Sequence, residues 1–267
     1  MVRSLVYLAA TLAAGWLIAV AMLASLQRGI LYHARGVDRS LAERYKVNEV
    51  AVPTDGAVLR GWFLRHRNPD APVVIYFGGN ADEVSRYLDR FASLTCCSAL
   101  LVNYRGYGES GGEPSEAALR ADGVALYDAA QRIRGAPGPT VLFGRSLGTG
   151  VAISTAVERA ASALVLVSPY DSIAAVGRDA YPYVPVRLLL KDKFDCLDLA
   201  ARIVVPVLAY VAGNDTVIRP VRSTNLIAAL AGKVDAFTVP GADHNTLFGP
   251  HDTWRTMERW IVENTLR

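Results

Sequence analysis

The stretch VLFGRSLGTG, Val141–Gly150, decides how this chain folds. An apolar run stops at Gly144, a serine follows at Ser146, and a second glycine follows at Gly148. The pattern G-x-S-x-G also occurs at Gly108–Gly112 (GESGG), so context must separate the two. Ser146 directly follows the strand-like TVLF and directly precedes the helix-like LGTGVAISTAV, which is the strand-turn-helix setting of a nucleophile elbow. Gly144 and Gly148 permit a tight turn, and Gly148 and Gly150 let the helix pack close to a sheet. The helix N-terminus points backbone N–H groups at the serine. Ser110, in the other match, lies in a loop past its strand, with Pro114 ahead of the next helix.

Working outward, VNEVAVPTDGAVLRGWFLR reads as two alternating runs around an Asp55-Gly56 turn, a β-hairpin. APVVIYF, SALLVNY, PTVLFG, ALVLVSP and PVLAYVAG are continuous apolar runs of the kind expected for strands covered on both faces. VDAFTVPG supplies a last strand. Helical patterns separate them, over about 82–95, 115–134, 147–159, 220–231 and 251–265. Strands alternating with helices predict an α/β fold with a mostly parallel central sheet of about eight strands and flanking helices. Residues 170–205 form a longer insert bearing YPYVPVRLLLKDKF, an apolar segment broken by prolines. Such insertions serve as lids or binding loops. Tyr181, Tyr183 and Leu189 are its candidate substrate-facing residues, with packing of a cap helix on the sheet as the alternative.

The 267 residues carry a net charge of +3, with Lys and Arg scattered and no basic run, so no nucleic-acid footprint is present. The three cysteines form neither a disulfide framework nor a metal-ligand pattern, and no metal is expected. The first segment differs from the rest. LVYLAATLAAGWLIAVAMLASL is long enough to cross a bilayer as a helix. Residues 1–28 are therefore expected to be a transmembrane anchor, 29–46 a connector and 47–267 the remaining domain, with a cleaved signal peptide as the alternative. Arg28, Arg35 and Arg39 follow the span and Arg3 precedes it, which leans towards a cytoplasmic domain.

A serine hydroxyl needs a base, and the base an orienting acid. Of the histidines after Ser146, His244 follows the last strand, where a base can meet the elbow. His251 reads as a capping or surface residue, and His33 and His66 lie upstream. Asp215 in YVAGNDTVIRP is the candidate acid, with Asp171 as its competitor, and Asp243 is expected to point elsewhere. Donors to a developing oxyanion are expected at Leu147 and in the GGNAD loop, at Asn80 or Ala81.

In order, YFGGNAD, VNYRGYGESGGEPSEAALRAD, GRSLGTG, GNDTVI and GADHN resemble the serine hydrolases of the α/β-hydrolase fold, most of all the Bem46-like branch with its membrane-anchored members. The resemblance spans 47–266. It implies Ser146, Asp215 and His244 as catalytic triad, and Leu147 with the GGNAD loop as oxyanion hole. One departure is Gly78, where that family usually has a histidine. Together with the resemblance, the pattern leads to expectation of a membrane-anchored enzyme that cleaves ester, thioester or acylated substrates without a cofactor. A peptidase or amidase on the same residues, and a scaffold without turnover, are the alternatives.

Overall fold

A computed structural model of the chain describes residues 2–247, 249 and 251–265, the side chains of 251 and 252 excepted. Eight strands form one sheet: β1 Glu49–Thr54, β2 Ala57–Leu64, β3 Val73–Phe77, β4 Ser98–Val102, β5 Thr140–Arg145, β6 Ala163–Val167, β7 Val207–Ala212 and β8 Val234–Val239. Their order is β1-β2-β4-β3-β5-β6-β7-β8. The β1–β2 and β2–β4 pairs are antiparallel, and all the others are parallel. The hairpin closes at Asp55–Gly56, with Thr54 opposite Ala57 and Gly56 at φ +72°, a left-handed backbone that glycine adopts readily.

The apolar runs are buried on both faces because helices cover both. In β3, Val73, Ile75 and Phe77 enter one core layer, while Val74 and Tyr76 enter the other. The first layer lies under α4 (Glu116–Arg134), α5 (Leu147–Glu158), α8 (Leu197–Ala200) and α9 (Pro220–Ala229). The second lies under α3 (Leu88–Ala92) and α10 (His251–Thr265), where Phe91 meets Trp254 edge-on at 5.2 Å and Phe143 packs against Tyr76 at 5.4 Å. Helix α4 starts at an N-cap, the Ser115 hydroxyl accepting the Ala118 N–H, and stops at Gly135 with φ +96°.

One helix is shorter than expected. In place of a helix over 82–95, a 3₁₀ turn at Val84–Tyr87 leads into the five-residue α3. The acidic residues ahead of it are committed elsewhere: Asp82 binds the Gly79 N–H, and buried Glu83 accepts from the Ser85 N–H and from Asn103 Nδ2. Residues bonded in this way cannot continue a helical turn upstream.

Two further parts bear on function. The insert holds α6 (Ile173–Ala180) and α7 (Val186–Leu189) before α8, interrupted at Pro182 and Pro185. The N-terminal helix α1 (Val2–Leu31) is 30 residues long, and only Val20 along it is buried. Its second half runs beside the insert. Trp16 Nε1 donates to the Tyr183 carbonyl (3.3 Å), Gln27 Nε2 donates to the Leu189 carbonyl (3.3 Å), and Arg28 pairs with Asp192 (2.9 Å). The connector carries a short helix α2 (Arg39–Arg44), capped by Asp38.

Candidate active site

Strand β5 ends at Arg145, and the chain reverses at Ser146 with φ +50° and ψ −121°. A side-chain-bearing residue seldom adopts this backbone, so the surroundings must impose it. They do so by close approach. A Cβ on Gly144 would lie 2.6 Å from the Gly148 carbonyl oxygen, and one on Gly148 would land on the Phe77 carbonyl. The start of α5 therefore crosses β5 and the end of β3 with no room for side chains. The Ser146 N–H donates to the Val167 carbonyl at 2.8 Å, fixing the turn to the next strand.

The turn lifts the Ser146 hydroxyl to 3.0 Å from Nε2 of His244, and Nδ1 of that ring lies 2.8 Å from Asp215 Oδ2. Each residue comes from a different strand end: Ser146 after β5, Asp215 after β7, His244 after β8. The Asp215 Oδ1 accepts the N–H groups of Val217 (2.9 Å) and Ile218 (2.8 Å). The Ser168 hydroxyl donates to Oδ2 at 3.1 Å. Burial would raise the Asp215 carboxyl, but His244 and the two N–H groups outweigh it and hold the group below the usual carboxylate range. Asp215 is thus ionised and pinned, and an ionised acid on Nδ1 favours the tautomer whose Nε2 can take the serine proton.

The loop after β3 is held from four directions. Asp82 accepts from the Gly79 N–H (2.7 Å), from Tyr76 (3.0 Å) and Tyr87 (2.8 Å), and from Arg145 at 2.7 and 2.8 Å. Tyr104 donates to the Gly78 carbonyl, and the Asn80 carbonyl takes both the Tyr107 hydroxyl (2.6 Å) and the His33 N–H (2.9 Å). Among the described residues, the N–H groups of Asn80, Ala81 and Leu147 have no hydrogen-bond acceptor. Gly78 leaves space that Asp82 uses, since a Cβ there would lie 2.9 Å from the Asp82 Cβ. With glycine at 78, the loop is therefore fixed by a buried ion pair. Arg145 also donates to the His244 carbonyl at 3.3 Å, so one guanidinium ties the loop to the histidine turn.

Asp82 also sets an acid limit. Burial would raise its carboxyl, but the Arg145 charge and the Gly79 N–H hold it low. Asp82 and Asp215 both bind protons more weakly folded than unfolded, where an Asp titrates near pH ~3.9. Their stabilisation is complete above that pH and is lost as pH falls through the lower folded values. The melting temperature is expected to hold steady from pH 7 to 5 and fall below about pH 4. Asp82→Asn should show a shallower acid slope in a scanning-fluorimetry series.

The competing residues have other partners. Ser110 is buried and donates to the Asn103 carbonyl while accepting the Arg60 N–H. Asp171 is bound by Arg222 and Asn225. Asp243 points away, as expected, and caps a turn by accepting the Asn245 and Thr246 N–H groups. His66 sits in a turn against Asn68 and Thr95, and the His251 side chain lies outside the described residues. Three contributors escaped the sequence reading: Arg145, Ser168 and His33. A charged residue at the end of a fully buried strand was the available signal for Arg145, because it must have a partner. Ser168 and His33 carry no such mark.

A cavity of about 360 Å³ opens at Ser146, Leu147 and Asn80. Its other walls are mostly apolar: α6 with Ile173 and Tyr181, α7 with Leu189, the Val217–Ile218 segment and the end of α1. Ala81 is not among its lining residues, nor is Tyr183, which is 86% exposed, so this tyrosine faces away from the cavity that Tyr181 and Leu189 line.

No protein-family profile matches the chain. An uncharacterised protein of Mycobacterium tuberculosis is 38% identical over 202 residues, covering 74% of this chain and 72% of its own length. Alpha/beta hydrolase domain-containing protein 17B of Xenopus tropicalis is 30% identical over 183 residues, which are 67% of this chain but only 62% of the frog protein. Among solved structures, an esterase from Pyrococcus furiosus superposes with a TM-score of 0.67 at 17% identity, over 89% of this chain and 99% of that one. Est1E from Butyrivibrio proteoclasticus, bound to ferulic acid, gives 0.67 at 16% identity, over 80% and 98%. With the eight-stranded order, these likenesses show that the chain has the α/β-hydrolase fold.

Proposed function

We propose that this protein is a membrane-anchored serine hydrolase acting on carboxylic esters or thioesters, with a lipid-like or acylated substrate. The observation that carries the reading is the unbroken relay from Ser146 through His244 to Asp215, at 3.0 and 2.8 Å, at the mouth of an apolar cavity. In this reading the Ser146 Oγ attacks the acyl carbon as His244 Nε2 takes its proton. The resulting oxyanion is met by the N–H groups of Leu147 and Asn80, which are unclaimed by other acceptors. Collapse expels the alcohol or thiol, protonated by His244, and leaves an acyl-enzyme. Water, deprotonated by His244, then attacks the acyl carbon; the acid leaves and Ser146 regains its proton. Asp215 stays ionised and steadies the imidazolium in both halves.

The anchor reading draws on α1 itself, 30 residues long and almost wholly exposed. A helix left exposed and apolar is poorly suited to water but suited to lipid. Its contacts with the insert favour an anchor over a cleaved signal, since removal would strip a wall from the cavity. We read 1–28 as anchor, 29–46 as connector and 47–267 as the hydrolase domain, with the arginines after the span favouring the cytoplasmic side.

The test is labelling of the solubilised protein by a fluorophosphonate, with turnover of p-nitrophenyl esters and thioesters. Asp215→Asn is expected to keep the fold yet lower kcat by about 10⁴-fold, because the amide supports the wrong histidine tautomer. Undiminished turnover in that variant would remove Asp215 from the mechanism.

A further inference from the structure

A helix that only tethers a domain needs no contact with its active site, but α1 reaches this one. Leu23, Ala24, Gln27, Ile30 and Leu31 lie on one face at helical spacing, and all five line the cavity that opens at Ser146. They stand opposite α6 and α7, so the cavity lies between anchor and insert. The polar contacts hold this face in place. The Gln27 Oε1 accepts the Lys191 N–H at 2.6 Å while its Nε2 donates to the Leu189 carbonyl. Asp192, which pairs with Arg28, also accepts the Glu116 N–H at the start of α4 (3.0 Å), so the same carboxylate joins anchor and core.

The docking also sets a depth. Trp16 contacts the Tyr183 carbonyl, so the helix is accompanied by the insert from mid-length onward. The unaccompanied part, residues 2–15, rises about 21 Å at ~1.5 Å per residue. A bilayer core is about 30 Å thick. For α1 to cross it, the insert beside Trp16 must sit within the leaflet, and its side chains suit that place: Tyr183 is 86% exposed and Leu188 84%. An aromatic and a leucine left bare in water are favourable at a lipid interface.

Resting on the hydrolase reading above, we propose that α1 is one wall of the acyl-binding pocket. A lipid-borne acyl chain enters sideways from the leaflet through the cleft between α1 and the α6–α7 segment, with its carbonyl coming to rest at Ser146. The cavity volume falls within the range of small-molecule sites. Residues of the anchor, and not of the hydrolase core alone, then set the preferred chain length.

The experiment uses the full chain in lipid nanodiscs and compares Ser146 labelling rates by an ethyl and a hexadecyl fluorophosphonate. Ala24→Trp fills the wall and is expected to lower the hexadecyl-to-ethyl ratio by about tenfold or more, the discrimination typical of pocket-filling changes. Leu23→Ala widens the wall and should move the ratio the other way, which misfolding would not do. Leu12→Trp, on the same helix but 66% exposed and off the cavity, should leave it unchanged. A ratio unaffected by both wall variants overturns the proposal. Tyr183→Asp with Leu188→Asp should slow hexadecyl labelling in nanodiscs but not in detergent micelles; equal rates in both would remove the leaflet route. Failure of both probes to label the wild type would instead count against Ser146 as nucleophile, whereas failure of the hexadecyl probe alone overturns the pocket. A fluorescent hexadecanoic acid titrated into Ser146→Ala, with and without Ala24→Trp, then reads the wall without the chemistry. Equal affinities there overturn the proposal by themselves.

Discussion

Ser146→Ala is expected to lower kcat for ester hydrolysis by about 10⁴-fold or more, and to abolish fluorophosphonate labelling, without loss of the folded state. The magnitude follows from the proposed mechanism, in which the three residues work as a unit. With the hydroxyl gone, His244 and Asp215 have no proton to move, and what remains is binding and the N–H groups beside Leu147, worth roughly 10³–10⁴ over water. The fold is expected to survive because the hydroxyl's bond to His244 is a partly exposed contact at the end of the relay, while the backbone bonds of Ser146 to Val167 and Thr149 persist. A normal circular dichroism spectrum with lost turnover and lost labelling is the expected pairing. Retained turnover in a folded variant would move the chemistry to another group.

The largest expected effect on stability lies at Asp82, outside the relay. Asp82 and Arg145 are each about nine-tenths buried and meet at 2.7 Å. Removing one member of a buried pair strands the other charge, at a cost of about 3–5 kcal/mol. Asp82→Ala takes the paired carboxylate from Arg145 and an acceptor from Tyr76, Tyr87 and the Gly79 N–H. At ~2–4 °C per kcal/mol for a chain near this size, the melting temperature should fall by about 10 °C. Turnover should fall as well, since Gly79 adjoins Asn80 and Arg145 holds the His244 carbonyl. Replacing both charges, Asp82→Leu with Arg145→Met, should recover much of the stability but not the activity. A double variant no more stable than Asp82→Ala would show that the pair matters for its hydrogen bonds and not for its charge.

The strands themselves and the meeting of Ser146, His244 and Asp215 were legible in the sequence because each is announced locally. Continuous apolar runs mark doubly covered strands, Asp-Gly marks the hairpin, and the elbow glycines sit where close approach forces them. The Arg145–Asp82 pair was hidden because its halves are 63 positions apart and Arg145 occupies a spacer position of the elbow motif. The same holds for α1. Its apolar run reads as a span, but which face meets the cavity is set by Gln27, Arg28 and their partners in the insert, a contact no periodicity encodes. The shortening of the helix near 82–95 was hidden for a related reason: a helix-like pattern gave way to side chains with long-range bonds to make.

The strained turn at Ser146 has a neighbour. Ser168, at the end of the adjoining strand β6, also has a positive φ, +47°, and the last residues of the two strands, Arg145 and Val167, are partners in the sheet. Two side-chain-bearing residues thus hold backbones that glycine would adopt with less strain, each at a cost on the order of 1–3 kcal/mol. Evolution at these positions is pulled two ways: glycine makes a steadier protein, and only serine keeps the relay. A lineage released from the need for turnover should therefore drift to glycine here early, becoming sturdier as it falls silent.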